Sequence, residues 1–193
     1  MVDEPEFAEG ALQQLAVIYQ KTKEWKKAIN VAEKLAKISP NSNRIELAHY
    51  YCEYVQNLPD ESKEDPKQIL LQALKVSPNC VRASIMLADL YIKQKEYKSA
   101  VDILENILTQ NATYIGEVLH SLKFCYQQLN QLDNFELFLI KASRENNNSA
   151  VALMLADLIE EKDGRAAAQL QLYQQLQQNP ATLIFHRFIQ YQI

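Results

Sequence analysis

Histidine and cysteine are the residue types best suited to acid–base, nucleophilic or metal chemistry, and the 193-residue chain has three of each: His49, His120, His186, Cys52, Cys80 and Cys125. His49 and Cys52 stand at i and i+3, a spacing that shares a helix face. A Cys–His pair can generate a thiolate nucleophile or supply half a metal site. No third ligand stands nearby in sequence, so packing is the expected role of this pair. Cys80 and Cys125 read as small packing residues, Trp25 as core, and His120 and His186 as polar surface. Three scattered cysteines fit a reducing compartment with no disulfide framework, and no CxxC pair is present to build a zinc site in this chain. No phosphate-binding loop, paired catalytic carboxylates or serine–histidine constellation occurs, so the chain is not expected to be an enzyme and calls for no cofactor.

What remains is the chemistry of binding. The candidates are Gln13, Val17, Gln20 and Lys21; Ile45, His49 and Glu53; Arg82, Asp89 and Lys93; His120, Phe124 and Gln127; Asp157 and Glu160. They mix amides, both charge signs and a few apolar groups. Such a surface suits an extended peptide or a helix, held by side-chain hydrogen bonds with Phe124 and Val17 as apolar anchors. Each of them also has the plain reading of a solvated side chain.

The elements that would place them are helices. Apolar residues make up 48% of the chain, enough for a core in one large domain or two small ones. Leu, Ala, Gln, Lys and Glu dominate and favour helix, while three glycines leave little for hairpin turns. The net charge is −4 with the basic residues dispersed, which argues against nucleic acid. No apolar run approaches the ~20 residues of a membrane span. The acidic stretch Met1–Glu9 does not read as a signal peptide.

Met-Leu-Ala-Asp-Leu occurs at 86–90 and again at 154–158, an offset of 154 − 86 = 68 residues, twice 34. A period of 34 marks the tetratricopeptide repeat, an antiparallel helix pair. The rest of the pattern follows. A first-helix signature of Leu, small residue and aromatic recurs as Leu15-Ala16-x-x-Tyr19, Leu47-Ala48-x-x-Tyr51 and Leu87-Ala88-x-x-Tyr91. Two degenerate copies follow, Leu122-Lys123-x-x-Tyr126 and Leu155-Ala156-x-x-Ile159. Ala28, Ala100 and Ala168 each fall nine residues after the aromatic position (28 − 19, 100 − 91, 168 − 159), where the second helix crosses the first closely. Trp25 and Tyr97 precede two of these alanines by three, and Pro40, Pro78 and Pro180 are expected to close repeats.

The expected fold is an all-α solenoid of helix pairs, in preference to a helical bundle without repeats. It has a lead at 1–8, five repeats at 9–40, 41–80, 81–115, 116–148 and 149–180, and a final helix at 181–193. The second repeat is long because of a polar stretch, Pro59–Asp65, and Asn146–Asn148 reads as a turn. First helices line the concave face, which puts the binding candidates in a groove. The apolar last helix reads as a cap or as the start of a further repeat in a longer array, the longer array being the preferred reading.

Several segments carry a closer likeness. Gly10–Ala32 (GALQQLAVIYQKTKEWKKAINVA), Arg44–Glu53 (RIELAHYYCE), Cys125–Leu129 (CYQQL), Val81–Ala100 and Ala152–Gly164 resemble, in order and spacing, the lipopolysaccharide assembly protein B family, also called YciM. The resemblance implies a right-handed superhelix of repeats on the cytoplasmic side of the inner membrane of Gram-negative bacteria. It also implies an N-terminal membrane helix and a C-terminal zinc ribbon, neither of which is in this sequence. The implied role is that of an adaptor restraining lipopolysaccharide output, with three kinds of partner: the committed-step lipid A deacetylase (LpxC), the membrane AAA+ protease FtsH that degrades it, and inner-membrane regulators. A generic adaptor or spacer module with unrelated partners is the alternative, with a helical enzyme a further one.

Overall fold

The computed structural model describes residues 5–59 and 61–192, and side chains outside 5–8 and 40–42. Met1–Glu4 of the expected lead, Asp60 of the long loop and Ile193 of the expected final helix lie outside the described residues. Eleven α-helices and one 3₁₀ turn account for the described secondary structure. The chain forms two compact units, Met1–Gln94 and Lys95–Ile193.

The first unit holds α1 (Pro5–Lys21), α2 (Trp25–Ile38), α3 (Pro40–Gln56), α4 (Pro66–Val76) and α5 (Val81–Lys93). Each helix packs on the next, and α3 also packs on α5. That skip-one contact between first helices is the mark of stacked pairs. The second unit holds α6 (Tyr97–Gln110), a 3₁₀ turn (Ala112–Tyr114), α7 (Ile115–Gln128), α8 (Leu132–Glu145), α9 (Ser149–Asp163), α10 (Arg165–Gln178) and α11 (Thr182–Gln190). Its skip-one contacts are α7 on α9 and α9 on α11.

The Leu-Ala signature is buried as the pattern requires. Leu47, Ala48, Leu87, Ala88, Leu122, Leu155 and Ala156 are in the core, as are Ala28, Ala100 and Ala168. Leu15 departs from it and is 39% exposed, because no helix among the described residues packs on that side of α1. The small residue matters because helix axes approach to 8–10 Å only where side chains permit. Lys123 replaces it in the fourth copy, and the structure accommodates the change by turning its ammonium to Glu161 at 2.7 Å.

Tight turns join the helices of a pair. The α1–α2 turn is a Schellman motif: the Glu24 N–H donates to Tyr19 O and the Lys23 N–H to Gln20 O. The α7–α8 turn repeats it, with the Gln131 N–H on Tyr126 O and the Asn130 N–H on Gln127 O. The left-handed residue is Lys23 in one (φ 58°) and Asn130 in the other (φ 55°); Lys95 (φ 61°) follows Tyr91 by the same four residues. Gly164 (φ 90°) ends α9.

Pro40 does not close the first pair as expected. It sits in the first turn of α3, where a missing N–H costs nothing, and only Ser39 separates α2 from α3. Asn43 ties that abrupt junction together, its buried amide donating to Ser39 O and to Leu35 O, which also accepts from the Ser39 N–H. Asp65 caps α4 ahead of Pro66, and Asn148 caps α9. At the start of α7, a methyl group on Gly116 would meet Ala150 Cβ at 3.0 Å.

Candidate functional site: open hollows beside the first helices

All fifteen candidates fall on α1, α3, α5, α7 or α9, the first helices of the pairs, and none is buried. The alternation follows from helix geometry: the Leu-Ala-Tyr stripe faces the neighbouring helices, leaving the intervening positions on the opposite side.

In the first unit, Gln20, Ile45, His49, Glu53 and Arg82 surround one hollow of about 440 Å³, together with Glu46 and Tyr50. Ile45 is 57% exposed and offers its apolar surface there. Arg82 spans the α3–α5 seam. It pairs with Glu53 at 2.7 Å and donates to Gln56 Oε1 at 2.7 Å. Both hydrogen bonds end on α3, so the guanidinium position is fixed by α3 even though its backbone belongs to α5. Tyr50 is buried and its hydroxyl donates to Glu46. Burial and that carboxylate push the phenol well above its ordinary range.

In the second unit, His120, Asp157 and Glu160 meet Lys123, Met154 and Glu161 around a hollow of about 400 Å³. Its carboxylates are each held by a partner. Arg187 pairs with Asp157, the Tyr191 hydroxyl donates to Glu160, and Lys123 pairs with Glu161. Arg187 lies on α11 and Tyr191 is the residue that caps its end, so the final helix sets the shape of the hollow.

Gln13, Val17, Lys21, Asp89 and Lys93 line neither hollow. Partial burial raises the Asp89 carboxyl above its ordinary value. Phe124 and Gln127 also lie outside the hollow of their unit. Phe124 is 42% exposed, and its ring meets Tyr97 edge-on at 5.8 Å, so the proposed anchor is half a packing residue. Sequence reasoning missed Glu46, Tyr50, Lys123, Met154, Glu161 and the α11 pair Arg187 and Tyr191. A signal existed for Lys123, a charged residue in a small-residue slot. None existed for Arg187, whose partner is thirty residues away.

His49 and Cys52 do not form a couple. The imidazole is exposed at the hollow while the thiol is fully buried. No group of three or more His, Cys, Asp or Glu capable of holding a metal ion occurs among the described residues. No described helix is long and apolar enough to cross a membrane. The hollows are open, mixed in charge and walled by rigid helices, which is the chemistry of recognition.

Stacked helix pairs and a 34-residue period define a tetratricopeptide-repeat protein, an interaction scaffold and not an enzyme. Tetratricopeptide repeat models match residues 11–46 and 67–123. Among proteins of known role, the chain is 65% identical over 193 residues to lipopolysaccharide assembly protein B of Haemophilus influenzae, covering 100% of this chain and 49% of that protein. The same-named protein of Escherichia coli K12 is 39% identical over 194 residues, covering 100% of this chain and 50% of the relative. The chain belongs to the lipopolysaccharide assembly protein B family, and it spans about half the length of the curated relatives it matches. Similar solved structures include MamA (17% identity, TM-score 0.49, 84% of this chain and 93% of that one). A tetratricopeptide repeat protein from Parabacteroides merdae is another (14% identity, TM-score 0.48, 95% and 72%).

Proposed function

We propose that this chain is the partner-binding part of a regulator of lipopolysaccharide synthesis. In this reading it works on the cytoplasmic face of the inner membrane and promotes degradation of the committed-step deacetylase LpxC by the protease FtsH. The observation that carries the reading is the family identity along the whole chain, together with an open hollow on the first helices of each unit. The fifteen outward residues on α1, α3, α5, α7 and α9 are the proposed contact set, with those around the two hollows foremost. The chain itself holds no cofactor in this reading; the zinc of the family belongs to its ribbon.

Mixed charge and half-exposed apolar groups favour a protein segment that brings both hydrogen-bonding and apolar side chains. The test is binding of the purified chain to the deacetylase and, separately, to the cytoplasmic part of the protease. Ile45→Asp puts a charge in the first hollow, and the Phe124→Ala, Gln127→Ala pair strips the outer face of α7. An interface anchor is worth roughly 1–2 kcal/mol, or about ten-fold in Kd. Binding by the unaltered chain, weakened that far in a folded variant, is the expected result. Equal affinity in every variant would remove these faces as the contact, and no binding to either protein would leave the chain a spacer.

A further inference from the structure

Another hollow of the first unit, about 320 Å³, opens where α1 turns into α2. Lys23, Glu24, Trp25, Lys26, Lys27 and Tyr54 border it, and none of the fifteen contact residues named above does. Lys27 is neutralised by Glu24, three residues before it. Lys26 and Tyr54 share a different carboxylate, that of Glu64, which comes from the polar stretch between α3 and α4. The two oxygens are taken one each: Oε1 by the Lys26 ammonium and Oε2 by the phenol hydroxyl, both at 2.5 Å. Lys23, exposed and left-handed at the turn, has no charged partner among the described residues.

The grip on Glu64 displays the chemistry the hollow selects. An ammonium and a hydroxyl converge on one carboxylate and hold it below its ordinary range. The hold is exchangeable, because the Lys26 and Glu64 side chains are 67% and 39% exposed and water competes for such a pair. Glu64 is a tethered ligand, placed by a turn in which the Ser62 N–H donates to Pro59 O and the Glu64 N–H to Ser62 Oγ. Without Glu64, three lysines face only Glu24 at this opening, on a chain whose net charge is −4. Trp25 is 8% exposed, and its indole N–H is buried with no acceptor among the described residues, a donor that calls for an oxygen from outside the chain.

We propose that the hollow at the α1–α2 turn docks an acidic segment of a partner protein, and that Glu64 holds the place of one of its carboxylates until the partner arrives. One carboxylate of the segment takes over Lys26 and Tyr54, a second pairs with Lys23, and Glu64 returns to water. The site shares no residue with the hollow bordered by Ile45, His49 and Arg82, so it adds a second point of attachment to the same unit.

Trp25 is the one tryptophan of the chain and borders the hollow, so its emission reports occupancy. The full chain is titrated with a peptide of alternating glutamate and glycine, and with the same peptide carrying glutamine for glutamate. The glutamate peptide should shift the emission and the glutamine peptide should not. Glu64→Gln removes the competitor and should bind the glutamate peptide about two- to five-fold tighter. Lys23→Gln together with Lys26→Gln should weaken it at least about five-fold. Inorganic phosphate at matched ionic strength should leave the peptide in place. The proposal is overturned if the two peptides act alike, if neither shifts the emission, if Glu64→Gln binds no tighter, or if phosphate displaces the peptide. The three substituted side chains are exposed or half-buried, and far-ultraviolet circular dichroism checks that each variant is folded. Should the double lysine variant unfold, Glu64→Gln decides alone.

Discussion

Leu172→Ala is the sharpest test of the packing that shapes the second hollow. Leu172 is fully buried on α10, in a cluster with Ala152, Ala156, Ala168 and Ile184. That cluster seats α11, which brings Arg187, and Tyr191 at its C-terminal end, to Asp157 and Glu160. The substitution removes three buried carbons, and at ~0.8 kcal/mol for each the transfer loss is about 2.4 kcal/mol. Incomplete collapse of the cavity raises the cost to about 2.7–5 kcal/mol. Leu170, two residues away on the same helix, is 58% exposed, so its truncation loses less than half the transfer energy, about 1 kcal/mol at most. For a unit of this size, each kcal/mol is roughly 4–8 °C in Tm. The buried variant should therefore melt roughly 10–40 °C lower by far-ultraviolet circular dichroism. Hydrogen exchange should localise the loss to α9–α11. Melting temperatures that agree for Leu170→Ala and Leu172→Ala would refute the assignment of inner and outer positions on α10.

Lys23→Gly should stabilise the chain by up to about 1 kcal/mol, because it relieves a left-handed non-glycine residue at a helix end; a lower urea midpoint would contradict the Schellman geometry. Arg82→Ala should cost no more than about 1 kcal/mol, since both partners of the pair are about a third exposed, and the cost should shrink with salt in urea titrations. Tyr50 and Tyr126 are buried, Tyr51 is half-buried, and they donate to Glu46, Glu105 and Glu33; burial and these carboxylates raise all three phenols, that of Tyr51 to about 12. Unfolded phenols ionise near 10, so this contribution is complete below about pH 10 and is lost as pH climbs toward 12. Tyrosinate absorbance should thus rise together with helix loss, and three phenolates near pH 10 in an intact helical chain would contradict it. Ala100→Trp, at a fully buried site, should cost about 1–3 kcal/mol or more, and exposed Lys93→Ala less than about 0.5 kcal/mol, in paired urea melts.

The period and the small residues were legible because they answer to local geometry. A Leu-Ala pair followed by an aromatic has only one useful placement on a helix, and Leu87, Ala88 and Ala156 take it. Side chains that find partners across many residues were not legible. Nothing about Arg187 announces Asp157, and nothing about Arg82 announces Glu53, since each pairing depends on how one helix lies on another. The left-handed turns fell between these cases. Lys23, Lys95 and Asn130 each follow the aromatic position by four residues, but lysine is so rarely the residue of such a turn that its type hides the signal. The outward candidates are exposed or half-buried on the first helices. Their grouping into hollows was beyond sequence reasoning, because it depends on which helices lie side by side: α1, α3 and α5 meet at one, α7 and α9 at the other.

The approach of Gly116 to Ala150 makes the α7–α9 crossing a site with room for a single methyl group. Alanine at 116 alone gains helix propensity of about 1 kcal/mol but forces the crossing apart by a few tenths of an ångström. Glycine at 150 alone opens a gap of the same size. The exchange of both restores the fit with the residues swapped between helices. In a lineage of such repeats, the two positions are therefore bound to change as a pair: either order of single steps passes through a strained or a loosened intermediate. A contact that no ligand touches becomes a constraint on which sequences are neighbours of this one.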